Sequence, residues 1–219
     1  MRDYSRIEIY LNSLQKDIYA QPPDPGHNAW ASDVINRLIP TDVETVLDVG
    51  CGQGFCKPLF EAKDIRWTGV TLGGTDFQQA KKNVGGSVQH ADATFLPFSS
   101  ESFDLVFARH ILEHSPMPLL TLMEWNFVAK KWLLLVAPSP EYWNYNGKNH
   151  YSVLNKDQLW WLLARAGWKI VAREEFISSD KLFMDYYLPK EPLEKRVFPG
   201  SPKAIEMRFL CLKDKPKVE

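Results

Sequence analysis

Hydrophobic and polar residues follow two different spacings along the chain, and each spacing predicts a different structure. Over residues 1–20, apolar side chains recur every three or four positions, which predicts an amphipathic helix. Three prolines interrupt the pattern at 21–26, and a second helical stretch over 27–39 ends at Pro40. The spacing predicts a helical segment over 1–40, which we interpret as a lid or brace ahead of the main fold.

From residue 41 onwards, short apolar runs alternate with amphipathic stretches. The runs predict strands and the stretches predict helices, an order that favours a mainly parallel sheet with helices on both faces. The sequence therefore predicts an α/β fold that is Rossmann-like and doubly wound, with seven strands. The predicted strands are 45–50, 65–71, 87–91, 103–108, 132–137, 168–176 and 205–213. Two of the predicted helices are 53–63 and 75–83.

Capping signals mark the starts of three helices. Thr75 with Gln78 three positions later fits a capping box, and Ser115 before Pro116 fits an N-cap followed by the first helical residue. Asn155 is expected to cap a late helix. Helical spacing after Pro116 predicts one inward face. That face comprises Leu119, Leu122, Met123, Asn126 and Phe127.

The domain organisation follows from length and from one irregular segment. A chain of 219 residues suits one domain with additions. Residues 178–204 hold four prolines and fit no regular element, so we predict an insertion or cap there. We expect a single domain over 1–219, with a core over 41–177 and a final strand and tail over 205–219.

Composition and charge narrow the class of protein. Hydrophobic residues make up 45% of the chain and charged residues 24%. A chain of this composition can form a buried core, and the composition excludes a disordered chain. The 26 Lys and Arg nearly balance the 27 Asp and Glu, for a net charge of −1. With no overall positive field, we expect no nucleic-acid partner.

Three features predict a cytoplasmic location. The three cysteines form no CxxC pair, which favours a reducing compartment. Charged residues recur through residues 1–20 and argue against a signal peptide. The longest apolar run, over 132–138, is far shorter than a membrane span. The sequence leaves the oligomeric state open.

The most informative stretch is the glycine-rich end of the first predicted strand. Gly50, Gly52 and Gly54 follow Asp48 at alternate positions, between a strand and a helix. Glycine permits close approach of the backbone to a ligand, and ligands bind at this end of the strands in doubly wound sheets. A nicotinamide dinucleotide fingerprint would need glycine or alanine where Phe55 stands, so an oxidoreductase is the weaker interpretation.

The run DVGCGQG over 48–54 resembles motif I of class I S-adenosylmethionine-dependent methyltransferases. Further runs follow in the same order: QHADA (89–93), LPF (96–98), SFDLV (102–106) and LEH (112–114). Together they resemble the type-11, or ubiquinone-biosynthesis-like, branch of that superfamily. The resemblance covers about residues 40–137.

The resemblance implies S-adenosylmethionine as the cofactor and assigns residues to it. Asp48 would organise the loop and approach the amino group, Asp92 would accept a hydrogen bond from the adenine amine, and Arg109 would sit near the sulfonium. The full implied set is Asp48, Gly50, Cys51, Gly52, Gly54, Thr71, Leu72, Asp92, Ala93 and Arg109.

The chain departs from the family at the end of the second strand. Thr71 stands where the family has an acid that binds the ribose hydroxyls, and a hydroxyl lacks the charge-assisted strength of a carboxylate. Asp76 on the following helix is a candidate replacement. The departure keeps open a second interpretation, a protein that binds S-adenosylmethionine without catalysis.

The resemblance implies methyl transfer to an oxygen or nitrogen of a small molecule, such as a metabolite, lipid or glycan precursor. An alcohol or ammonium acceptor also needs a base, and His110 and His150 are the candidate catalytic residues. The motifs that resemble DNA-base methyltransferases, an Asn/Asp-Pro-Pro-aromatic run and a Pro-Cys pair, are absent. Aromatic residues in 142–151 and 183–188 are expected to form an acceptor lid.

Residues 110–114 also fit the H-x-x-E-H pattern, in which two histidines on a helix can bind zinc. A zinc peptidase is disfavoured, because the pattern lies inside a methyltransferase-like frame. The pattern is also similar to the E-x-x-E-H metal motif of some members of the superfamily. We expect no metal, and keep a metal-assisted O-methyltransferase using His110, Glu113, His114 and His150 as the alternative.

Overall fold

The structure is a computed structural model that describes residues 5–14, 18, 25–140, 149–176 and 206–214. Six α-helices lie within these ranges: α1 (Ser5–Leu14), α2 (Pro25–Leu38), α3 (Lys57–Glu61), α4 (Gly74–Val84), α5 (Pro118–Val128) and α6 (Lys156–Arg165). The strands are β1 (Thr45–Val49), β2 (Arg66–Thr71), β3 (Val88–His90), β4 (Phe103–Arg109), β5 (Ala129–Pro138), β6 (Trp168–Phe176) and β7 (Glu206–Lys213). The predicted insertion at 178–204 lies outside the described residues.

The seven strands form one sheet in the order β3-β2-β1-β4-β5-β7-β6. Strands β1 to β5 pair in parallel, and β7 runs antiparallel to both β5 and β6. The predicted Rossmann-like, mainly parallel seven-stranded sheet is therefore confirmed. The strand order reverses between β1 and β4, and the reversal opens a crevice at the carboxyl ends of the strands.

Apolar side chains from each face of the sheet form a separate core. On one face, Val34 and Ile35 of α2 pack with Phe60 of α3. On the other face, Trp125 of α5 packs with Leu163 of α6. All five side chains are buried, so α2, in the helical segment predicted over 1–40, belongs to the packed core. In contrast, none of the ten residues of α1 is buried.

Two of the three predicted helix starts are wrong. Gly73, in an extended conformation, is the N-cap of α4, so Thr75 lies inside the first turn. Helix α5 begins at Pro118 after Met117, and the buried hydroxyl of Ser115 bonds with that of Thr121 at 2.7 Å. The predicted capping box at Asn155 is confirmed, with Gln158 as its partner.

Two other helical expectations need correction. Helix α3 is shorter than the predicted 53–63, because tight turns occupy the residues before Lys57. In α5, Met123 and Phe127 are exposed, whereas Trp125 is buried and donates a hydrogen bond to the carbonyl of Ala93 at 3.0 Å. The indole therefore determines which face of α5 turns inward.

Among the described helices, none has the length and apolar character that crossing a bilayer requires. The longest, α2, has 14 residues, against about 20 for a span.

Candidate active site

A cavity of about 490 Å³ opens at the carboxyl ends of the central strands. Its size suits a small-molecule ligand. The walls bring together eleven of the twelve residues that the sequence nominated. These are Asp48, Gly50, Cys51, Gly52, Thr71, Leu72, Asp92, Ala93, Arg109, His110 and His150. The twelfth, Gly54, is not part of the wall that the described residues form.

The glycine loop is shaped by its own hydrogen bonds. The N–H groups of Gly50 and Cys51 both donate to the carbonyl of Val70 at 2.9 Å, so neither remains for a ligand. Gly50 has φ +72°, and a Cβ there would overlap the side chain of Ile111. At Gly52, φ is +52° and no described atom lies within 4 Å of an added Cβ. The loop therefore offers a ligand open backbone at Gly52.

The carboxyl of Asp48 lies beneath this loop and is almost fully buried. Its Oδ2 accepts a hydrogen bond from Nε1 of Trp67 at 3.0 Å. Burial raises the pKa of Asp48 to about 7, although Trp67 and the charge of Arg109 oppose the rise. A cationic group bound beside this carboxyl would favour its charged form.

Acidic side chains also line the cavity near β2 and β3. Oδ1 of Asp92 accepts a hydrogen bond from the backbone N–H of Thr94 at 2.8 Å. Thr71 is buried at the end of β2, and Asp76 is buried on α4, where Oδ1 accepts from Gln53 at 3.2 Å. Burial raises the pKa of Asp76. Thr71, which stands where the family has an acid, and the carboxyl of Asp76 therefore line the same cavity.

A buried carboxylate that the sequence did not predict contacts two residues of the cavity wall, Arg109 and His110. Glu206 on β7 has no exposed side-chain surface, and its Oε1 accepts from Nη2 of Arg109 at 2.5 Å. Its Oε2 accepts from Nη2 of Arg208 at 3.0 Å. Burial alone would raise the pKa of Glu206, but Arg109 and His110 outweigh burial and hold the pKa well below its usual range.

His110 lies between two buried carboxylates. Its Nε2 donates to Glu206 at 2.9 Å, and its Nδ1 lies 3.5 Å from Oε1 of Glu113. Burial alone would lower the pKa of His110, but these two carboxylates outweigh it and raise the pKa. The residue has φ +53°, a strained conformation for a residue other than glycine. Each ring nitrogen of His110 thus faces a buried carboxylate, Nε2 facing Glu206 and Nδ1 facing Glu113.

The ion pairs continue from Glu206 to the second helix. Arg208 is fully buried, and its Nη1 donates to Asp33 of α2 at 2.7 Å and to Glu174 of β6 at 2.9 Å. Arg37 bridges the same two acids from the outside. Hydrogen bonds from these arginines lower the pKa of Asp33 to about 2. The network ties α2 to the antiparallel strands beside the cavity.

A second cluster lies where the loop after β4 meets residues 149–152. Glu113 is buried, and neither carboxylate oxygen accepts a hydrogen bond from the residues that the structure describes. His114 donates from Nδ1 to the carbonyl of Asn149 at 3.0 Å, and its ring lies 4.7 Å from that of His150. Burial lowers the pKa of His150. Residues 112–114 form a 3₁₀ turn, so the helical geometry of an H-x-x-E-H zinc site does not form.

Apolar side chains from the N-terminal part of the chain also line the cavity. Leu11 and Leu14 of α1 line it together with Ile18, and Tyr151 contributes an aromatic ring. The rest of the aromatic lid expected at 142–151 and 183–188 lies outside the described residues. The part of the cavity lined by α1 and Ile18 is therefore apolar.

Residues 47–133 match a family model described as a methyltransferase domain, of type 11. Over these residues the chain belongs to the type-11 family of class I S-adenosylmethionine-dependent methyltransferases. It is 33% identical over 90 residues to an O-methyltransferase of Pyrenophora dematioidea, covering 37% of the chain and 34% of the relative. It is 31% identical over 169 residues to the O-methyltransferase cnsE of Penicillium expansum, covering 67% and 61%.

The chain thus spans about a third and about three fifths of the length of these two relatives. Among solved structures, it resembles a methyltransferase from Archaeoglobus fulgidus, with a TM-score of 0.67 and 17% identity. That match covers 85% of this chain and 94% of the other, and it shows that this methyltransferase shares the fold.

S-adenosylmethionine is the cofactor of this family, and the cavity has features that suit it. The buried carboxyl of Asp48 faces the cavity and could meet an ammonium group. Asp92 could accept from an adenine amine on the same wall, and the open backbone at Gly52 leaves space between them. Gly54 lies outside the cavity wall and allows the loop to pack closely against Val84, which a Cβ at this position would crowd.

Proposed function

We propose that the protein transfers the methyl group of S-adenosylmethionine to a hydroxyl oxygen of a small molecule, such as a metabolite, lipid or glycan precursor. The observation that carries the proposal is one continuous cavity, in which Asp48 and Asp92 share the walls with Arg109, His110 and His150. The O-methyltransferases among the relatives favour oxygen over nitrogen as the methylated atom.

Cofactor binding falls to the residues at the ends of β1 and β2. Asp48 receives the cationic end of the cofactor, Asp92 receives the adenine amine, and Gly52 lets the ligand approach the backbone. S-adenosylmethionine supplies an already activated methyl group, so the chain mainly aligns the acceptor and excludes water. The apolar side chains of α1 and Ile18 that line the cavity serve to exclude water.

Removal of the acceptor proton is the remaining chemical requirement. His110 has both ring nitrogens directed at Glu206 and Glu113, so it lacks a free lone pair that faces the cavity. Among the described residues, Nδ1 of His150 makes no hydrogen bond. We therefore assign proton removal to His150 or to solvent, and assign positioning of the acceptor to His110.

Calorimetry followed by an acceptor screen tests the proposal. The purified protein should bind S-adenosylmethionine and transfer a deuterated methyl group to a phenol or alcohol, detected by mass spectrometry. Asp92→Asn should weaken cofactor binding about tenfold, because it removes one charge-assisted hydrogen bond. The matched control is Asp64→Asn, an exposed residue with φ +60° that asparagine tolerates well.

Two results would count against the proposal. If the protein did not bind S-adenosylmethionine, the proposed function would be refuted. Binding without consumption, across hydroxyl and amine acceptors, would favour the protein that binds the cofactor without catalysis, the interpretation that Thr71 keeps open.

A further inference from the structure

The loop after β4 and residues 149–152 bring three metal-binding side chains to one wall of the cavity. One ligand atom from each of Glu113, His114 and His150 lies within 4.8 Å of the other two. All three residues also line the cavity described above. The cluster is therefore open to a bound small molecule.

The second observation is that buried atoms of Glu113 and His150 lack hydrogen bonds to the residues that the structure describes, although Nδ1 of His110 lies 3.5 Å from Oε1 of Glu113. Glu113 is 2% exposed, and among the described residues nothing donates a hydrogen bond to either of its oxygens. Nδ1 of His150 is also buried without a hydrogen bond in the described part of the chain. Buried polar atoms are rarely left unpaired, because each costs free energy unless a partner or an ion satisfies it.

The backbone holds the cluster in place. The N–H of Ser152 donates to the carbonyl of Glu113 at 2.9 Å, and its hydroxyl donates to the carbonyl of Ser115 at 2.6 Å. Nδ1 of His114 donates to the carbonyl of Asn149, which leaves its Nε2 with the lone pair that a metal needs. The two segments are thus joined by three hydrogen bonds around the cluster.

We propose that Glu113, His114 and His150 bind one divalent transition-metal ion of the Zn²⁺ type. Two imidazole nitrogens and one carboxylate form a ligand set that suits Zn²⁺ and its neighbours better than Mg²⁺ or Ca²⁺, which prefer oxygen alone. A tetrahedral ion with bonds of about 2.1 Å places its ligand atoms roughly 3.4 Å apart. The three ligand atoms lie within 4.8 Å of one another, so they would have to move closer together when an ion binds.

His110 is not a ligand in this arrangement. Its Nε2 is held by Glu206, and its Nδ1 faces Glu113 from outside the cluster. Three protein ligands leave the fourth position of a tetrahedral ion open. That position belongs to a water molecule or to the acceptor hydroxyl.

The role of the ion rests on the proposed function. A hydroxyl oxygen bound to the ion loses its proton to solvent more readily, because the ion stabilises the resulting oxyanion. The oxygen then forms the new bond to the methyl carbon as the carbon–sulfur bond breaks, and the electron pair of that bond stays on sulfur. The metal keeps its oxidation state. With the ion bound, His150 is a ligand, so of the two proton acceptors assigned above it is solvent that takes the proton.

The test is metal binding by the full chain, measured apart from catalysis. Protein stripped with a chelator should bind one equivalent of Zn²⁺ in calorimetry, and Co²⁺ should give the visible absorption of a low-coordinate nitrogen and oxygen site. His150→Asn and Glu113→Gln should each weaken Zn²⁺ binding by about a hundredfold or more. His90→Gln, whose ring lies outside the cavity and bonds to the carbonyl of Leu72, should bind Zn²⁺ as the natural protein does.

S-adenosylhomocysteine binding is measured on every variant as the check for folding. A natural protein that binds S-adenosylhomocysteine but no Zn²⁺ or Co²⁺ would overturn the metal site and leave the proposed function standing. Equal Zn²⁺ affinity in His150→Asn, with S-adenosylhomocysteine binding intact, would also overturn it. Stoichiometric Zn²⁺ binding lost in both variants would support the site, even if no methyl acceptor were found.

Discussion

Nε2 of His110 donates a hydrogen bond to Glu206 at 2.9 Å, although 96 residues separate the two in the chain. The same carboxylate accepts hydrogen bonds from Arg109 and Arg208. One fully buried acid on β7 therefore fixes three basic side chains, two of which line the cavity. The shape of that wall depends on the antiparallel strand as much as on β4.

Replacing Glu206 should destabilise the protein. Glu206→Gln keeps the shape of the side chain but leaves Arg109 and Arg208 beside a neutral group. We expect the free energy of unfolding to fall by about 3–5 kcal/mol, as when one partner of a buried ion pair is removed. Urea unfolding measures the change. The control is Glu175→Gln on the adjacent strand, an exposed residue 3.8 Å from Lys156, where we expect at most about 1 kcal/mol. Equal losses would contradict the role given to Glu206.

Asp48 should make stability depend on pH. Its pKa rises from 3.8 to about 7 on folding, so the folded state holds a proton that the unfolded state releases between these values. The free energy of unfolding should therefore fall as the pH rises from about 4 to about 7, by up to about 4 kcal/mol. Urea unfolding across this range, in the absence of cofactor, should show the slope. Asp48→Asn should reduce it, and an unchanged slope would assign the effect to other groups.

Gly50 should tolerate no side chain. Gly50→Ala adds a Cβ at φ +72° and into the side chain of Ile111, so the loop must shift. We expect a loss of about 1–3 kcal/mol in the free energy of unfolding and at least tenfold weaker S-adenosylhomocysteine binding. Gly74→Ala is the matched control. It lies exposed at the start of α4, with open space around its Cβ, and should be neutral or stabilising by up to about 1 kcal/mol. Similar behaviour of both variants would contradict this explanation.

Asp76 should compensate for the missing acid at Thr71. We expect Asp76→Asn to weaken S-adenosylhomocysteine binding about tenfold, because a carboxylate binds ribose hydroxyls more strongly than an amide does. Thr71→Asp alone should bring no gain, since two neighbouring carboxylates repel each other. In the double variant, Thr71→Asp should restore much of the affinity that Asp76→Asn loses. Calorimetry on the four proteins measures this, and unchanged binding in Asp76→Asn would refute the compensation.

The sequence predicted the features that depend on neighbouring residues. Strand β1 and the glycine loop are encoded by an apolar run followed by glycines at alternate positions, and Asn155 caps α6 through its own side chain. The resemblance to known motifs nominated residues that the structure places around one cavity. Their roles as ligands of the cofactor stay predictions.

The features that escaped prediction depend on distant contacts. The residues next to Glu206 in the sequence give no sign that it contacts His110. The two come together because β7 pairs with β5, which in turn pairs with β4. A weak signal was present, because Glu206 and Arg208 lie on the same face of a strand whose other residues, up to Leu212, are apolar. Likewise, Trp125 of α5 is held inward by a hydrogen bond to Ala93. The hydroxyl of Ser115 bonds to Thr121 and accepts a hydrogen bond from the N–H of Met117, ahead of the residue where α5 begins.

The buried arginine at position 208 has a consequence for how molecules enter the protein. Its fully buried guanidinium joins α2 to strands β6 and β7 through ion pairs, and separating them would leave a buried charge without its partners. Opening by α2 would therefore be costly. Helix α1 buries none of its residues, so we expect the entry of ligands into the cavity to depend on α1 more than on α2.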